Sequence, residues 1–221
     1  MPSRASLLAV AFTLCAVACQ DPTKGKPAAI VGSAIASASV SVAPIAKVET
    51  TRWNLSPETL KVGFVGSKVT GKHEGTFPKV RGTVAMIDRR IEAAIVAIVV
   101  EIGSVKTEDT ELDDHLKSKD FFDATRFPLA RFTSTTIVAS TAPSSTGQAS
   151  THTVTGNLEL HGVSRSISFP ATITLDGGAL KATAEFSIKR KDFGIVYPGK
   201  PDDLIRDDVL LKLSIDAKSA S

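Results

Sequence analysis

Apolar and polar side chains alternate with a period of two along segment after segment of this chain. From Leu180 to Ile188 every even position is apolar, whereas lysine, threonine, glutamate and serine occupy the odd positions. This pattern is typical of an antiparallel β-strand with one buried and one solvated face. Other segments repeat it: Leu60-Val62-Phe64, Val80-Val84-Met86 and Val209-Leu211-Leu213-Ile215. Many short strands, few helices and no internal repeat predict a β-barrel or a β-sandwich.

Two turns can be placed between these strands. Apolar residues occupy even positions up to Leu160 and odd positions from Val163 onward. A change of phase by one residue marks a turn or bulge, so the sequence predicts a hairpin at His161-Gly162. The cluster Asp176-Gly177-Gly178 predicts the next turn, because glycine favours the backbone conformations of tight hairpins.

Residues 91–102 are apolar on both faces of a strand. Their β-branched content favours a strand over a helix. In a barrel one face would line the lumen, and the other would need a cover. The Phe-rich segment between Leu116 and Phe122 is the natural candidate for that cover, followed by a strand over residues 130–138.

Several short motifs follow one another along the chain. They are Trp53, Gly75-Thr76-Phe77, Ser104-Val105-Lys106-Thr107, Asp114-His115-Leu116 through Phe121-Phe122-Asp123, Phe132-Thr133-Ser134, Val154-Thr155-Gly156-Asn157-Leu158 with His161-Gly162-Val163, and Arg190-Lys191-Asp192-Phe193-Gly194-Ile195. Together they resemble the YceI-like family of periplasmic lipid-binding barrels, over residues 51–217. The resemblance implies an all-β, lipocalin-like antiparallel barrel of about eight strands, with a short helical insert between Leu116 and Phe122 and an elongated internal pocket.

The N-terminus predicts export. Arg4 precedes an apolar run from Leu7 to Ala18, which is too short to span a bilayer as a stable helix. Ala16-Val17-Ala18 before Cys19 resembles a bacterial lipobox, in which Cys19 becomes the lipid anchor of the mature protein. The alternative is an ordinary signal peptide cleaved near Ala18. Acylation would explain why a lone cysteine persists in an oxidising compartment.

The chain divides into a signal peptide at residues 1–18, a flexible tether rich in Ala, Ser and Pro at 19–49, and a barrel domain at 50–218. Composition argues against the tether folding, because it cannot bury enough apolar surface. Without the signal peptide, 25 basic residues face 23 acidic ones. That balance, with no basic stripe, argues against nucleic acid as a partner. The sequence carries no signal of oligomeric state.

The sequence contains no recognisable catalytic motif, and its four histidines are scattered, so we expect neither an enzyme nor a metal site. Asp114 and His115 are adjacent but better explained by ordering the insert. Arg190 and Asp192 are expected to pair with charges at the barrel rim. No cofactor is predicted, although an isoprenoid quinone is a conceivable ligand.

The resemblance implies that the lumen binds a long isoprenoid or a similar amphiphile. The ligand-binding candidates are apolar and lie in the strand-like or motif segments: Phe64, Val84, Met86, Leu116, Phe122, Phe132, Phe186 and Phe193. Lys68, Lys72 and His73 are candidates for a polar rim, although a solvated hairpin explains them equally well. The alternative function is a structural or interaction module of the envelope whose barrel is filled by its own side chains. In either case the protein is expected in the bacterial envelope, facing the periplasm or held in the outer membrane as a lipoprotein, with the Cys19 anchor binding the membrane.

Overall fold

A computed structural model describes residues 21–34, 50–141 and 150–219 of the chain. In these stretches eleven strands form one sheet, which curls into a half-barrel. The signal-peptide residues, Cys19 and most of the predicted tether lie outside them. The sheet strands are β1 (Ile30–Ser33), β2 (Thr50–Leu55), β3 (Leu60–Ser67), β4 (Lys72–Thr76), β5 (Val80–Ile87), β6 (Ile95–Glu101), β7 (Leu129–Ala139), β8 (His152–Leu160), β9 (Val163–Asp176), β10 (Ala179–Lys189) and, numbered in chain order after a small hairpin, β13 (Asp208–Lys218).

The small hairpin consists of β11 (Gly199–Lys200) and β12 (Asp203–Leu204). The order of the main path is β2-β5-β6-β7-β8-β9-β10-β13-β3-β4, and β1 pairs with β9 beside that path. All of these sheet pairings are antiparallel. The predicted antiparallel barrel class is therefore confirmed, with more strands than the expected eight.

Both predicted turns are present. β8 ends at Leu160 and β9 begins at Val163, and the two residues between them, His161 and Gly162, have φ angles of 52° and 74°. Positive φ at both central residues is the mark of a type I′ turn, whose twist suits a hairpin. Gly177 and Gly178 join β9 to β10 with φ angles of 51° and 88°.

The doubly apolar segment is shorter as a strand than predicted. Only Ile95–Glu101 is extended, between the 3-10 helices Ile91–Ala93 and Ile102–Ser104. Its even residues face inward, whereas Ile95 on the other face is 57% exposed. The prediction that the insert covers the outer face of this strand is thus wrong. β-Branched residues can occupy a solvated face of a sheet.

The insert contains the described helix α1, Thr110–Lys117, which begins and ends earlier than the predicted segment. Asp109 caps it by accepting a hydrogen bond from the Glu111 backbone N–H. Asp113 is buried and accepts hydrogen bonds from the Thr107 backbone N–H at 2.6 Å, the Thr107 hydroxyl at 2.8 Å and the Lys106 ammonium at 3.0 Å. These bonds fasten the helix to the chain that precedes it. The acidic residue that orders the insert is therefore the buried Asp113, and not the exposed Asp114 as expected.

The predicted tether needs correction for residues 21–34. β1 pairs with Ser168 to Arg165 of β9, and Ala28 bridges Ser187 of β10. The physical reason is an open edge: β10 pairs only with the last part of β9, from Thr172 to Asp176. Unpaired backbone groups on the rest of that edge are satisfied by the N-terminal strand.

We predict that Asp113 makes stability depend on pH. The hydrogen bond from Lys106 lowers the pKa of Asp113 below its ordinary value, against the opposing effect of desolvation. A carboxyl with a lowered pKa in the folded state stabilises the protein above its unfolded pKa of about 3.9 and loses that effect as the pH falls through the folded pKa. Asp113→Asn should therefore lower the urea midpoint near neutral pH and weaken its dependence on pH in acid.

Asp114→Asn is the matched control, because the Asp114 carboxylate is exposed and contacts Lys117 on the surface of the helix. Urea titrations of both variants near neutral pH and around pH 3 make the comparison. Equal midpoints and equal acid sensitivity in the two variants would contradict the role of Asp113.

Candidate functional site

An elongated cavity of about 250 Å³ lies inside the curled sheet. Its lining is aliphatic or phenyl along almost its whole length. On β13, alternate residues from Val209 to Ile215 all face it. Six residue steps of a strand cover about 20 Å, so the cavity is long and narrow. Its volume lies just below the range of roughly 300 to 1,000 Å³ that is typical of small-molecule sites.

On each strand around the cavity, alternate residues face inward and form the lining. The cavity-facing residues are Val62, Phe64 and Gly66 of β3, Val96, Ile98 and Val100 of β6, Val154, Leu158 and Leu160 of β8, Ile167, Phe169, Ala171 and Ile173 of β9, and Ala182, Ala184, Phe186 and Ile188 of β10. On β7 the parity changes from Ala130 and Phe132 to Ile137. A register shift between Ser134 and Thr136 causes this change, because the extra residue of a β-bulge turns the following side chains to the other face.

Small residues leave the space open. Ala182 and Ala184 occupy two successive inward positions of β10 where larger residues would fill the lumen. Gly156 of β8 lies under the Phe132 ring, and a Cβ there would come within 2.5 Å of the ring. The glycine thus lets this ring lie close against the wall of the barrel instead of crossing the lumen.

Two groups of aromatic rings line the cavity. Phe64 and Phe122 lie 6.4 Å apart between ring centroids, and both contact Phe77, at the end that α1 covers. Further along, Phe169 stacks on Phe186 with centroids 4.0 Å apart. Leu116 and Phe121 of the insert also line the cavity. The insert therefore covers an end of the lumen, and not the outer face of β6.

Arg190 is a buried charged residue of the lining, with 4% of its surface exposed. Its guanidinium donates hydrogen bonds to the carbonyl oxygens of Ile195 at 2.7 Å, Arg206 at 3.0 Å and Ile205 at 3.3 Å. Burial lowers the pKa of Arg190, and the nearby Asp207 carboxylate opposes that effect. The expectation that Arg190 pairs with rim charges is replaced by this set of carbonyl contacts, which satisfy a buried cation.

Five of the eight ligand-binding candidates line the cavity: Phe64, Leu116, Phe122, Phe132 and Phe186. Val84 and Met86 are buried but lie away from it, in the core where Val84 is paired with Trp53. The indole is fully buried and occupies the space on that face. Phe193 is also fully buried, but packs in the core beside the lumen. A binding role for any of the eight stays a prediction.

The three rim candidates share the β3–β4 hairpin, and each is paired with an acidic group. Lys68 lies 2.7 Å from Asp203, Lys72 lies 3.3 Å from Glu74, and His73 lies 2.5 Å from Glu108. None of them lines the cavity. These contacts favour the alternative, a solvated hairpin, and a head-group role stays a prediction.

The sequence-based candidates omitted most of the aliphatic lining. Ala182, Ala184, Leu211 and Leu213 all face the cavity. Their alternation along β10 and β13 was visible in the sequence, but it does not distinguish a residue that fills a core from one that borders a cavity. Arg190 was missed as a buried residue because a charged side chain is rarely buried.

The adjacent residues Asp114 and His115 do not contact each other's partners. Asp114 contacts Lys117, whereas His115 contacts Asp120 at 3.0 Å, so the two adjacent residues serve different partners. Within residues 21–34, 50–141 and 150–219, no three metal-ligating side chains gather into a group that could hold an ion. Over the same residues, no helix has the length and hydropathy needed to cross a bilayer.

Comparison with known proteins identifies the family. Residues 53–217 match the family model of the YceI-like domain. A UPF0312 protein of Pseudomonas fluorescens (strain SBW25) is 34% identical over 144 residues, which cover 62% of this chain and 71% of that protein. This chain belongs to the YceI-like domain family, as its sequence motifs indicated.

Solved structures share the fold. The structure of Burkholderia cenocepacia BcnA superposes with a TM-score of 0.63 at 24% identity, covering 72% of this chain and 96% of that one. A polyisoprenoid binding domain from Saccharophagus degradans, implicated in plant cell wall breakdown, superposes with a TM-score of 0.59 at 14% identity, covering 78% of this chain and all of that one. At these identities the likeness concerns the fold.

We predict that Phe186→Ala costs more stability than Phe122→Ala. Phe186 is 1% exposed and stacked on Phe169, so its removal should lower the free energy of unfolding by about 3 to 5 kcal/mol. Phe122 is only partly buried beside the insert, and its loss should cost less. Urea unfolding of both variants in lipid-free protein tests this. Equal losses would mean that the packing around the two rings is equivalent.

Proposed function

We propose that the barrel binds a long-chain apolar lipid, of which an isoprenoid is the leading candidate. The single observation that supports this proposal best is the shape and chemistry of the cavity, about 20 Å long by strand geometry and lined by aliphatic and phenyl groups. The polyisoprenoid binding domain of Saccharophagus degradans has the same fold, which supports the choice of ligand class.

The energetics favour a hydrocarbon chain. Each methylene that leaves water for an apolar site contributes about 0.8 kcal/mol. Strands β9, β10 and β13 offer that surface through alternate residues, several on each strand, whose inward side chains are apolar. A chain can therefore be retained by burial alone, and only its head group needs polar contacts.

The rival function is a structural module whose barrel is filled by its own side chains. Ala182 and Ala184 argue against a barrel that its own side chains fill completely. Bulkier residues at these inward positions would occupy the remaining volume of the cavity. We propose a carrier without catalytic activity, since the described side chains near the cavity do not combine a nucleophile with a base. An isoprenoid quinone would be held in the same way, as a ligand and not as a cofactor.

We further propose that the protein is exported to the bacterial envelope and anchored in a membrane through Cys19. The support is the sequence alone: an apolar N-terminal run followed by Ala16-Val17-Ala18 and Cys19. Gln20, in place of aspartate, after the cysteine favours the outer membrane by the sorting rule of enteric bacteria. The ligand would then be drawn from a lipid phase next to the domain.

We predict that narrowing the lumen lowers lipid retention. Ala184→Leu should reduce the lipid that co-purifies with the protein several-fold, because the longer side chain occupies cavity volume. The measurement is organic extraction of purified protein followed by mass spectrometry, expressed as lipid per protein. Ala97→Leu is the matched control, since Ala97 lies between the inward residues Val96 and Ile98 and points away from the cavity.

Thermal unfolding of the Ala184→Leu and Ala97→Leu proteins checks that each is folded. An unchanged lipid content in a folded Ala184→Leu protein would count against binding in the lumen. Absence of any extractable long-chain lipid from the parent protein would favour the structural module.

We predict that Cys19→Ala releases the protein from membranes while leaving the barrel intact. The reason is that the mature chain has no second cysteine to accept a lipid. Fractionation of cells that produce the full chain, with immunodetection in the soluble and membrane fractions, measures this. Unaltered membrane association of the variant would refute the anchor but not the ligand.

A further inference from the structure

The N-terminal segment at residues 21–29 is attached to the barrel at several points. Asp21 contacts the Arg206 guanidinium at 3.3 Å, and Lys26 contacts Glu185 at 2.5 Å. The Ser187 backbone N–H donates to the Pro27 carbonyl at 2.9 Å, and the Ala29 N–H donates to the Ser187 carbonyl at 2.8 Å. The chain is thus held to the domain from Asp21 onward.

This attachment restricts where an anchor at Cys19 can lie. Only Gln20 separates Cys19 from Asp21, and two extended residues span at most about 7 Å. A lipid on Cys19 would therefore lie close to the surface around Arg206. The domain would not stand off the membrane on a long tether, as composition alone suggested.

Arg206 lies at one end of the barrel, beside two hairpins. Its backbone N–H donates to the Ser67 carbonyl at 2.9 Å, and the Val69 N–H donates to the Leu204 carbonyl at 3.2 Å. Val69 and Leu204 are exposed apolar residues, as is Val196 in the segment that precedes the β11–β12 hairpin. We call Val69, Val196 and Leu204 the anchor-side patch.

Hydrophobicity alone does not single out this end. At the opposite end of the strands, Ile87, Ile95 and Val138 are exposed to a comparable degree. What distinguishes the anchor-side patch is the position of Asp21. The patch also adjoins the cavity, because Gly66 and Ile205, close in sequence to Val69 and Leu204, both line it.

We propose that the anchor-side patch docks on a lipid surface, so that this end of the barrel faces the membrane that holds the Cys19 anchor. The proposal rests on the proposed function, specifically on the anchor. Membrane contact would remove three exposed apolar side chains from water, which is favourable in proportion to the area buried. It would also place the cavity end with Arg190 next to the lipid phase.

Site-specific quenching tests this orientation. The full chain is produced with Leu204→Cys or Val138→Cys, labelled with a bimane maleimide, and reconstituted through its own anchor into vesicles of phosphatidylethanolamine and phosphatidylglycerol that contain doxyl-labelled lipid. We expect the label at position 204 to be quenched several-fold more strongly than the label at 138. Equal quenching at the two positions, or stronger quenching at 138, would overturn the proposal.

Measurements on the parent chain distinguish a failure of the docking proposal from a failure of the Cys19 anchor. If the parent reacts with the maleimide through Cys19 and fails to float with vesicles, the anchor is absent and both proposals fail. If it floats, takes up no label, and position 204 is still unquenched, the anchor stands and only the docking proposal fails. A blue shift at 204 that occurs without doxyl quenching and depends on protein concentration would indicate a second copy of the chain on the patch, and would also overturn lipid docking.

A double change, Asp21→Ala with Lys26→Ala, tests the segment that sets the orientation. It removes two ion pairs without altering the patch or Cys19. Flotation should stay at the parent level, whereas the quenching difference between positions 204 and 138 should shrink. Persistence of the full difference would overturn the role of the N-terminal segment.

Discussion

Every strand around the lumen places alternate side chains on one inner face, and the rest of the structure serves to cover that face. A curled sheet alone leaves its ends and any gap between strands open to water. At one end, α1 and the following turn place Leu116, Phe121 and Phe122 over the lumen. Between β9 and β10, which pair only over their adjoining ends, the N-terminal strand β1 occupies the open edge. Since apolar surface exposed to water costs free energy in proportion to its area, these covers stabilise the fold by removing such surface from water.

Strand content and turns were accessible from the sequence because each depends on local properties. The phase change at His161-Gly162 fixed a hairpin, and the alternation along β10 and β13 identified the inward residues. The path of residues 21–34 was not accessible, since a short Ala- and Val-containing segment has weak intrinsic preferences and its pairing depends on a distant open edge. The bulge at Ser134–Thr136 was missed for a similar reason: its effect on Ile137 follows from the register with β8 and not from composition.

The candidate site was predictable in kind but not residue by residue. Large apolar residues were natural candidates for a lining, yet Val84, Met86 and Phe193 pack in solid core while two alanines border the cavity. A core close-packed to ordinary protein density leaves few voids, so an open lumen requires small residues opposite large ones. Which pairs stand opposite each other depends on the curvature and closure of the sheet. Alternation in the sequence specifies on which face of a strand a residue lies. It does not specify how far that residue is from the opposite wall of the lumen.

The body of the barrel and the segment over residues 195–206 are stabilised by different interactions. The body of the barrel is stabilised by backbone pairing and by stacked rings such as Phe169 and Phe186. The segment over residues 195–206 is held by the carbonyl contacts of Arg190 and by Asp203, which contacts Lys68 and Thr70. Ile195 of this segment is also buried in the core, and the Tyr197 ring lies 5.3 Å from the Phe121 ring of the insert. The insert and this segment therefore close the same end of the lumen together, while backbone pairing holds the body of the sheet.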